Sequence, residues 1–277
     1  MSLLGPAEIR DLAEQLDLQP TKKLGQNFVV DGNTVRKIVR TAGVASGDHV
    51  LEVGPGLGSL TLGMLELGAR VTAIEIDSRL AAQLPHTVQL MQPGAELAVI
   101  TDDALRVPEV PGAPTALVAN LPYNVSVPVL LHLLHVVPSL TSSVVMVQAE
   151  VGHRLAAGPG SRVYGSPSVK ASWYGDWSLV GTISRQVFWP VPNVDSVLVG
   201  FRAAAHPGTD AERLRTFALV DAAFGQRRMM RRQSLSELLG GTSSSASAAL
   251  EAAEVDPTLR GEQLTVHDFL RIVRTAS

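Results

Sequence analysis

Residues 118–125 read VANLPYNV, in which Asn120, Leu121, Pro122 and Tyr123 close an apolar run with an amide, a carbonyl, an imide ring and a phenol. The Asn120 amide oxygen and the Leu121 backbone carbonyl can both accept hydrogen bonds from one exocyclic amine. Pro122 limits the conformation of Leu121 and stiffens the turn. Tyr123 offers a flat face on which a base can stack. An aromatic amine is a poor nucleophile because its lone pair is delocalised into the ring. Two acceptors on its hydrogens favour a more pyramidal nitrogen, and their dipoles stabilise the positive charge that grows as it attacks a methyl sulfonium. No strong base is needed, because holding nitrogen, methyl carbon and sulfur in line supplies much of the acceleration. Taken alone, the same four residues also fit a plain strand-to-helix turn.

A second group points to what stands beside that amine. EVGPGLGSLT (52–61) carries Gly54, Gly56 and Gly58. Glycines here let backbone approach a bound nucleoside and leave helix N–H groups free for polar atoms. Their G-x-G-x-G spacing differs from the G-x-G-x-x-G of the dinucleotide fingerprint, and a tight turn without ligand would also use them. Glu75 follows Gly54 by 21 residues in the apolar-flanked AIEID segment. An acid at that place can accept both hydroxyls of a ribose. Asp103, in ITDDAL, is suited to accept from an adenine amino group; Asp102 beside it reads as the more exposed, and the choice between the two acids comes from the family resemblance described below. Glycine turn, Glu75, Asp103 and Asn120 together describe a site for an adenosine-containing cofactor with chemistry next to the Asn120 strand.

These residues need an edge to sit on, and the patterning supplies one. Residues 7–17 and 33–42 repeat apolar positions at three and four, as amphipathic helices do. TKKLGQNFVVDG between them is too rich in Gly, Asn and Asp for regular structure. Short β-rich runs follow at 48–53, 70–76, 96–101, 115–120 and 142–148, with helical candidates at 58–67, 78–84 and 126–137. Strands apolar on both faces and alternating with helices predict an α/β fold with a doubly wound, mostly parallel sheet. Further strands are expected at 179–187 and 194–202, and AAAHPGTD (203–210) reads as a linker. Helices predicted at 210–223, 227–239, 244–253 and 263–274 make a small all-α domain. The expected division is 1–203, including N-terminal helices and a cofactor-covering loop in 1–46, and 204–277.

Composition narrows the classes. The 277 residues are 45% hydrophobic, enough to bury a large core. There is no cysteine, so a disulfide framework, a thiol nucleophile and a cysteine-ligated metal are unsupported, and no metal is expected. The N-terminus lacks the basic start and apolar run of a signal peptide. VSVPVLLHLLHVVPSL is broken by prolines and histidines and is short of a membrane span, so a soluble, cytoplasmic protein without a membrane partner is expected. Twenty-three basic against 26 acidic residues leave a net charge of −3. No global field favours nucleic acid, and local patches must decide.

In order, KKLGQNFVVD (22–31), EVGPGLGSLT, IEID (74–77), DDAL (102–105), NLPYNVSVPVL (120–130), MVQAEVGHRLAAGPGSRVYGSPSV (146–169), FWPVPNVDSVLV (188–199) and AFGQRR (223–228) span most of the chain. With them the sequence resembles the small-subunit rRNA adenine N6,N6-dimethyltransferases, within the class I methyltransferases of Rossmann-like fold. The resemblance implies S-adenosylmethionine as cofactor, held by Asn27, Val29, the turn at Gly54 and Gly56, Glu75, Asp103 and Asn120. It implies a target adenine whose amine meets Asn120 and Leu121, and whose ring lies between Tyr123 and Phe188. The implied reaction is dimethylation of N6 on two adjacent adenines in the 3′-terminal hairpin of 16S rRNA, within an immature 30S subunit, by a monomer. The helical domain would dock RNA through Arg227, Arg228, Arg231 and Arg232. Two departures stand out: Val29 replaces the usual leucine, and Met229 replaces a lysine after the paired arginines. Rival readings are a large-subunit adenine methyltransferase of the macrolide-resistance type, a non-catalytic ribosome-assembly relative and, less well matched, a nicotinamide oxidoreductase.

Overall fold

The computed structural model describes residues 3–18, 27–225, 239 and 241–276. Helix α1 (Pro6–Gln15) starts with proline in its first turn, where no donor is lost, and buries Ile9 and Ala13. Strand β1 (Phe28–Val29) leads into α2 (Gly32–Thr41), whose N-terminus is capped by the Asp31 carboxylate accepting from the Thr34 amide at 2.8 Å.

The alternating part follows as β2 (His49–Val53), α3 (Ser59–Leu65), β3 (Arg70–Glu75), α4 (Ser78–Met91), β4 (Leu97–Thr101), β5 (Ala116–Asn120), α5 (Ser126–Val136) and β6 (Ser142–Gln148). After α6 (Ala149–Leu155) and α7 (Ser166–Ser172) come β7 (Gly175–Ile183), β8 (Phe188–Trp189) and β9 (Ser196–Ala203). The main sheet has seven strands in the order β4-β3-β2-β5-β6-β9-β7. Its β4 to β6 part is parallel, and β9 runs antiparallel to β6 with Ser196 opposite Gln148. This is the expected α/β architecture. The chain turns one way from β2 to β3 and β4, and the other way through β5 and β6. The loops therefore diverge above the carboxyl ends of β2 and β5, where open α/β sheets leave a crevice. A core of Val35, Ile38, Leu62, Met64, Val71, Leu80, Val118 and Leu198, among others, fixes the helices on the sheet.

Several elements depart from the sequence-based boundaries. Helix α4 continues through Pro85 to Met91 because Leu80, Leu84 and Val88 lie on one buried face, which offsets the missing proline donor. Strand β7 begins at Gly175 and ends at Ile183, since Ser184 caps a 3-10 turn over Arg185–Val187. Helices α6 and α7 were not expected. Neither was the ribbon in which β1 pairs antiparallel with β8, Phe28 opposite Trp189 and Val29 opposite Phe188.

The chain groups into two compact units, 1–152 with 178–203, and 153–177 with 204–277. The second unit holds α8 (Asp210–Gly225), α9 (Ser243–Ala252) and α10 (Val266–Thr275). It differs from the division expected at 203/204 by taking in 153–177. The Tyr164 hydroxyl donates to the Leu264 carbonyl at 2.8 Å, Lys170 pairs with Asp221 at 2.7 Å, and Trp173 meets Phe217 edge-on at 6.0 Å. The helix expected at 227–239 lies outside the described residues, apart from Leu239. Among the described residues no helix is long and apolar enough to cross a membrane.

Candidate active site

A cleft with a volume of about 150 Å³ lies over the carboxyl ends of β2, β3, β4 and β5. Asn27, Val29, Gly54, Gly56, Glu75, Asp103 and Asn120 all line it. The seven positions named for the cofactor thus converge on one place. Asp102 lines it as well, and with it Phe28, Glu52, Ile76, Leu80 and Val125.

Strand β2 delivers the glycine turn. Gly54 has φ +65°, and a Cβ there would find its nearest neighbour, the Asn120 carbonyl, at 3.9 Å. The backbone therefore leaves room on the cleft side for a group to approach closely. Gly56 serves another purpose: with φ +57°, its Cβ would fall 2.9 Å from the Phe28 ring, so its absence lets the N-terminal segment close over the turn. Ser59, at the start of α3, donates to the Val29 carbonyl at 2.7 Å and pins the same segment.

Strand β3 ends in Glu75. One carboxylate oxygen accepts from the Gly56 amide at 3.1 Å and the other from the Asp77 amide at 3.0 Å. Burial pushes this carboxyl above the usual range, while those backbone donors pull it back. The Ile76 amide bears on it as well, and with about four lone-pair sites on its two oxygens the carboxylate still has acceptor capacity toward the cleft. Asp103 accepts from the Leu105 amide at 2.9 Å and sits 3.7 Å from the Arg106 guanidinium. Its side chain is 32% exposed, open enough to meet an incoming amine.

Strand β5 ends in Asn120, which pairs with Met146 of β6. Its amide nitrogen donates to the Asn27 carbonyl at 2.9 Å. That contact fixes the sense of the amide: the nitrogen is committed to Asn27, and the oxygen is the atom left to accept. The Leu121 amide donates to the Met146 carbonyl at 3.1 Å, which anchors the turn; Leu121 itself is buried and is not among the residues lining the cleft.

The two aromatic residues sit differently. Neither Tyr123 nor Phe188 lines the cleft. Tyr123 is half-buried, its hydroxyl 2.9 Å from the Ser196 hydroxyl, and burial raises its phenol above the ordinary value. Phe188 is only 2% exposed and belongs to the core with Val29 and Leu198, because the β1–β8 pairing tucks it inward. In this arrangement Phe188 presents no open face opposite Tyr123. Arg227, Arg228, Arg231, Arg232 and Met229 lie outside the described residues.

Two groups went unnamed in the sequence reading. Glu52, in the buried part of β2, accepts from the Thr61 hydroxyl at 2.6 Å, and burial, aided by nearby Glu75, pushes its carboxyl up to about 8. A charged residue inside the apolar run HVLEV, nine positions before a threonine, was the signal. Ser196 lay inside the quoted VDS segment, but nothing local tied it to Tyr123.

A family model described as ribosomal RNA adenine dimethylase matches residues 18–277. A protein of Leifsonia xyli subsp. xyli named ribosomal RNA small subunit methyltransferase A is 67% identical over 275 residues, 98% of each chain. A Streptomyces coelicolor protein of the same name is 57% identical, over 98% of this chain and 96% of its own. Among solved structures, a dimethyladenosine transferase from Plasmodium falciparum superposes with a TM-score of 0.73 at 24% identity, covering 87% of this chain and 94% of that one. The 23S rRNA methyltransferase ErmE gives 0.65 at 26% identity, covering 90% and 99%.

Proposed function

The chain belongs to the ribosomal RNA adenine dimethylase family, and from that premise we propose how its residues carry the reaction. It is an S-adenosylmethionine-dependent methyltransferase, and its relatives are named as methyltransferases of small-subunit rRNA. The target is N6 of two adjacent adenines in the 3′-terminal hairpin of 16S rRNA, presented in an immature 30S subunit in the cytoplasm.

The cleft fits the cofactor. Gly54 leaves backbone space, Glu75 accepts from the ribose hydroxyls, Asp103 takes the adenine amino group, and Ile76, Leu80 and Phe28 supply apolar walls. Asn27 and Val29 close the side nearest Asn120. When bound, S-adenosylmethionine supplies a methyl group made electrophilic by its sulfonium.

The Asn120 amide oxygen and the Leu121 carbonyl accept from the target amine and hold its lone pair toward the cleft. Both acceptors stabilise the positive charge that develops on nitrogen, and positioning supplies the rest. The observation carrying this reading is the Asn120–Asn27 hydrogen bond, which leaves the amide oxygen as the free atom. Tyr123 is the platform for the base, worth about 1–3 kcal/mol by stacking. Phe188 takes the other face only if RNA binding opens its packing against the Val29 strand. Arg227, Arg228, Arg231 and Arg232 bind phosphates.

Labelled S-adenosylmethionine incubated with 30S particles lacking the modification, and in parallel with 50S particles, should label 16S rRNA at the two adenines, mapped by primer extension. Label in large-subunit rRNA instead, or none from protein that binds the cofactor, overturns the assignment.

A further inference from the structure

We propose that Ser196 is a positioning residue: from the start of β9 it holds the tip of the Tyr123 ring and so sets the plane against which the target adenine lies. This rests on the reading of Tyr123 as the base platform.

Ser196 is 1% exposed, so its hydroxyl has no water to turn to. The partner it has is the Tyr123 hydroxyl, 2.9 Å away. A buried hydroxyl left without a partner is costly, so each group constrains the other. The backbone under Ser196 is rigid. It pairs with Gln148 of β6, and the neighbouring Asp195 carbonyl accepts from the Ala149 amide at 2.9 Å. At the other end of the ring, the Tyr123 backbone sits in a turn closed by the Val125 amide donating to the Pro122 carbonyl at 3.3 Å.

The ring is thus fixed at two points, by its own turn and by a strand two places away in the sheet. A side chain held only at Cα can turn about its own bonds, whereas one held also at Oη cannot do so without breaking the hydrogen bond. The same frame carries Asn120, since β5 pairs with β6 and β6 with β9. The amine acceptor and the base platform are therefore referenced to one set of strands. A misplacement of about 1 Å can cost up to about a hundredfold in rate, so a tilt of the platform should show in turnover.

The test uses Ser196→Ala, Tyr123→Phe, their double variant and Tyr123→Ala in the full chain. Unmodified 30S particles are the substrate, and cofactor affinity is read by calorimetry. Ser196→Ala and Tyr123→Phe should each lower kcat about tenfold, with KM for the particle and Kd for S-adenosylmethionine unchanged. Because both delete the same hydrogen bond, the double variant should be no slower than either single one. Should Ser196→Ala fail to fold, Tyr123→Phe removes the same bond from the other side. Wild-type kcat in either single variant, losses that multiply in the double, or a change confined to KM overturns the proposal. If Tyr123→Ala abolishes transfer while Ser196→Ala is fully active, Ser196 loses its role and the Tyr123 platform stands. If Tyr123→Ala is itself fully active, the platform reading falls and takes the proposal with it.

Discussion

A side-chain amide has two ends, and the one that faces a substrate amine decides whether it helps or repels. In this chain the choice is made by the Asn27 carbonyl, which takes the Asn120 nitrogen and leaves the oxygen to accept. Asn120→Ala should keep the fold but lower methyl transfer by about a hundred- to a thousandfold, the range seen when one preorganised dipole is removed. Transfer to unmodified 30S particles at the wild-type rate would mean that the amine is held elsewhere. Glu52 makes a prediction of another kind. Its carboxyl is raised to about 8 by burial, against about 4.3 in an unfolded chain, so the folded state binds its proton more tightly. The favourable contribution is complete below about pH 4.3 and is lost as pH rises toward 8, on the order of 5 kcal/mol in all. Glu52→Gln keeps an acceptor for Thr61 and removes the titration. In urea melts its advantage over the wild type should therefore grow from pH 5 to pH 8.5; a constant difference would place an ionised Glu52 in the folded protein.

At the scale of elements, the glycines that matter are those where two pieces of structure meet. Gly63 lies in α3, and a Cβ there would run into Val35 Cγ1 and come within 3.2 Å of Val39 Cγ2, both on α2. Alanine would favour the helix by about 1 kcal/mol, but overpacking a tight contact costs about 1–3 kcal/mol. Gly63→Ala should accordingly lower the urea midpoint, and Val35→Ala in the same chain should recover part of the loss. A neutral or raised midpoint would show that α2 shifts freely. The α2–α3 pair could not have been read from sequence, because neither its register nor the closeness of the helices is a local property. Strands β2 to β6 could, because each is a short β-branched run closed by a turn residue. The same reasoning covers the site. The convergence of Asn120, Glu75 and Asp103 on one edge was legible, because Asn120 and Glu75 end their strands and Asp103 follows the end of β4 by two residues. Ser196 was not, since its partner is 73 residues away. The packing of Phe188 was not legible, because its burial depends on a two-residue ribbon with Val29 that no periodicity announces.

For the whole molecule, the net charge of −3 gives no long-range attraction to RNA, and residues 181–277 carry 11 basic against 10 acidic side chains. Affinity must therefore come from clustered cations. Four of the 11 fall within six residues, Arg227, Arg228, Arg231 and Arg232. Each phosphate neutralised releases counterions, steepening the fall of log K with log salt by about 0.7 to 0.9. Replacing these arginines by glutamine one at a time should flatten that slope by about this amount for every residue that truly meets a phosphate. The site of methylation should not move, because a phosphate contact positions the RNA without reading bases. Binding to unmodified 30S particles measured over a range of potassium chloride, with mapping of the product, separates these effects. A slope unchanged in all four variants would mark the cluster as solvated charge without a phosphate partner and shift RNA docking to another surface. A moved methylation site would instead make the cluster part of how the enzyme chooses its adenines.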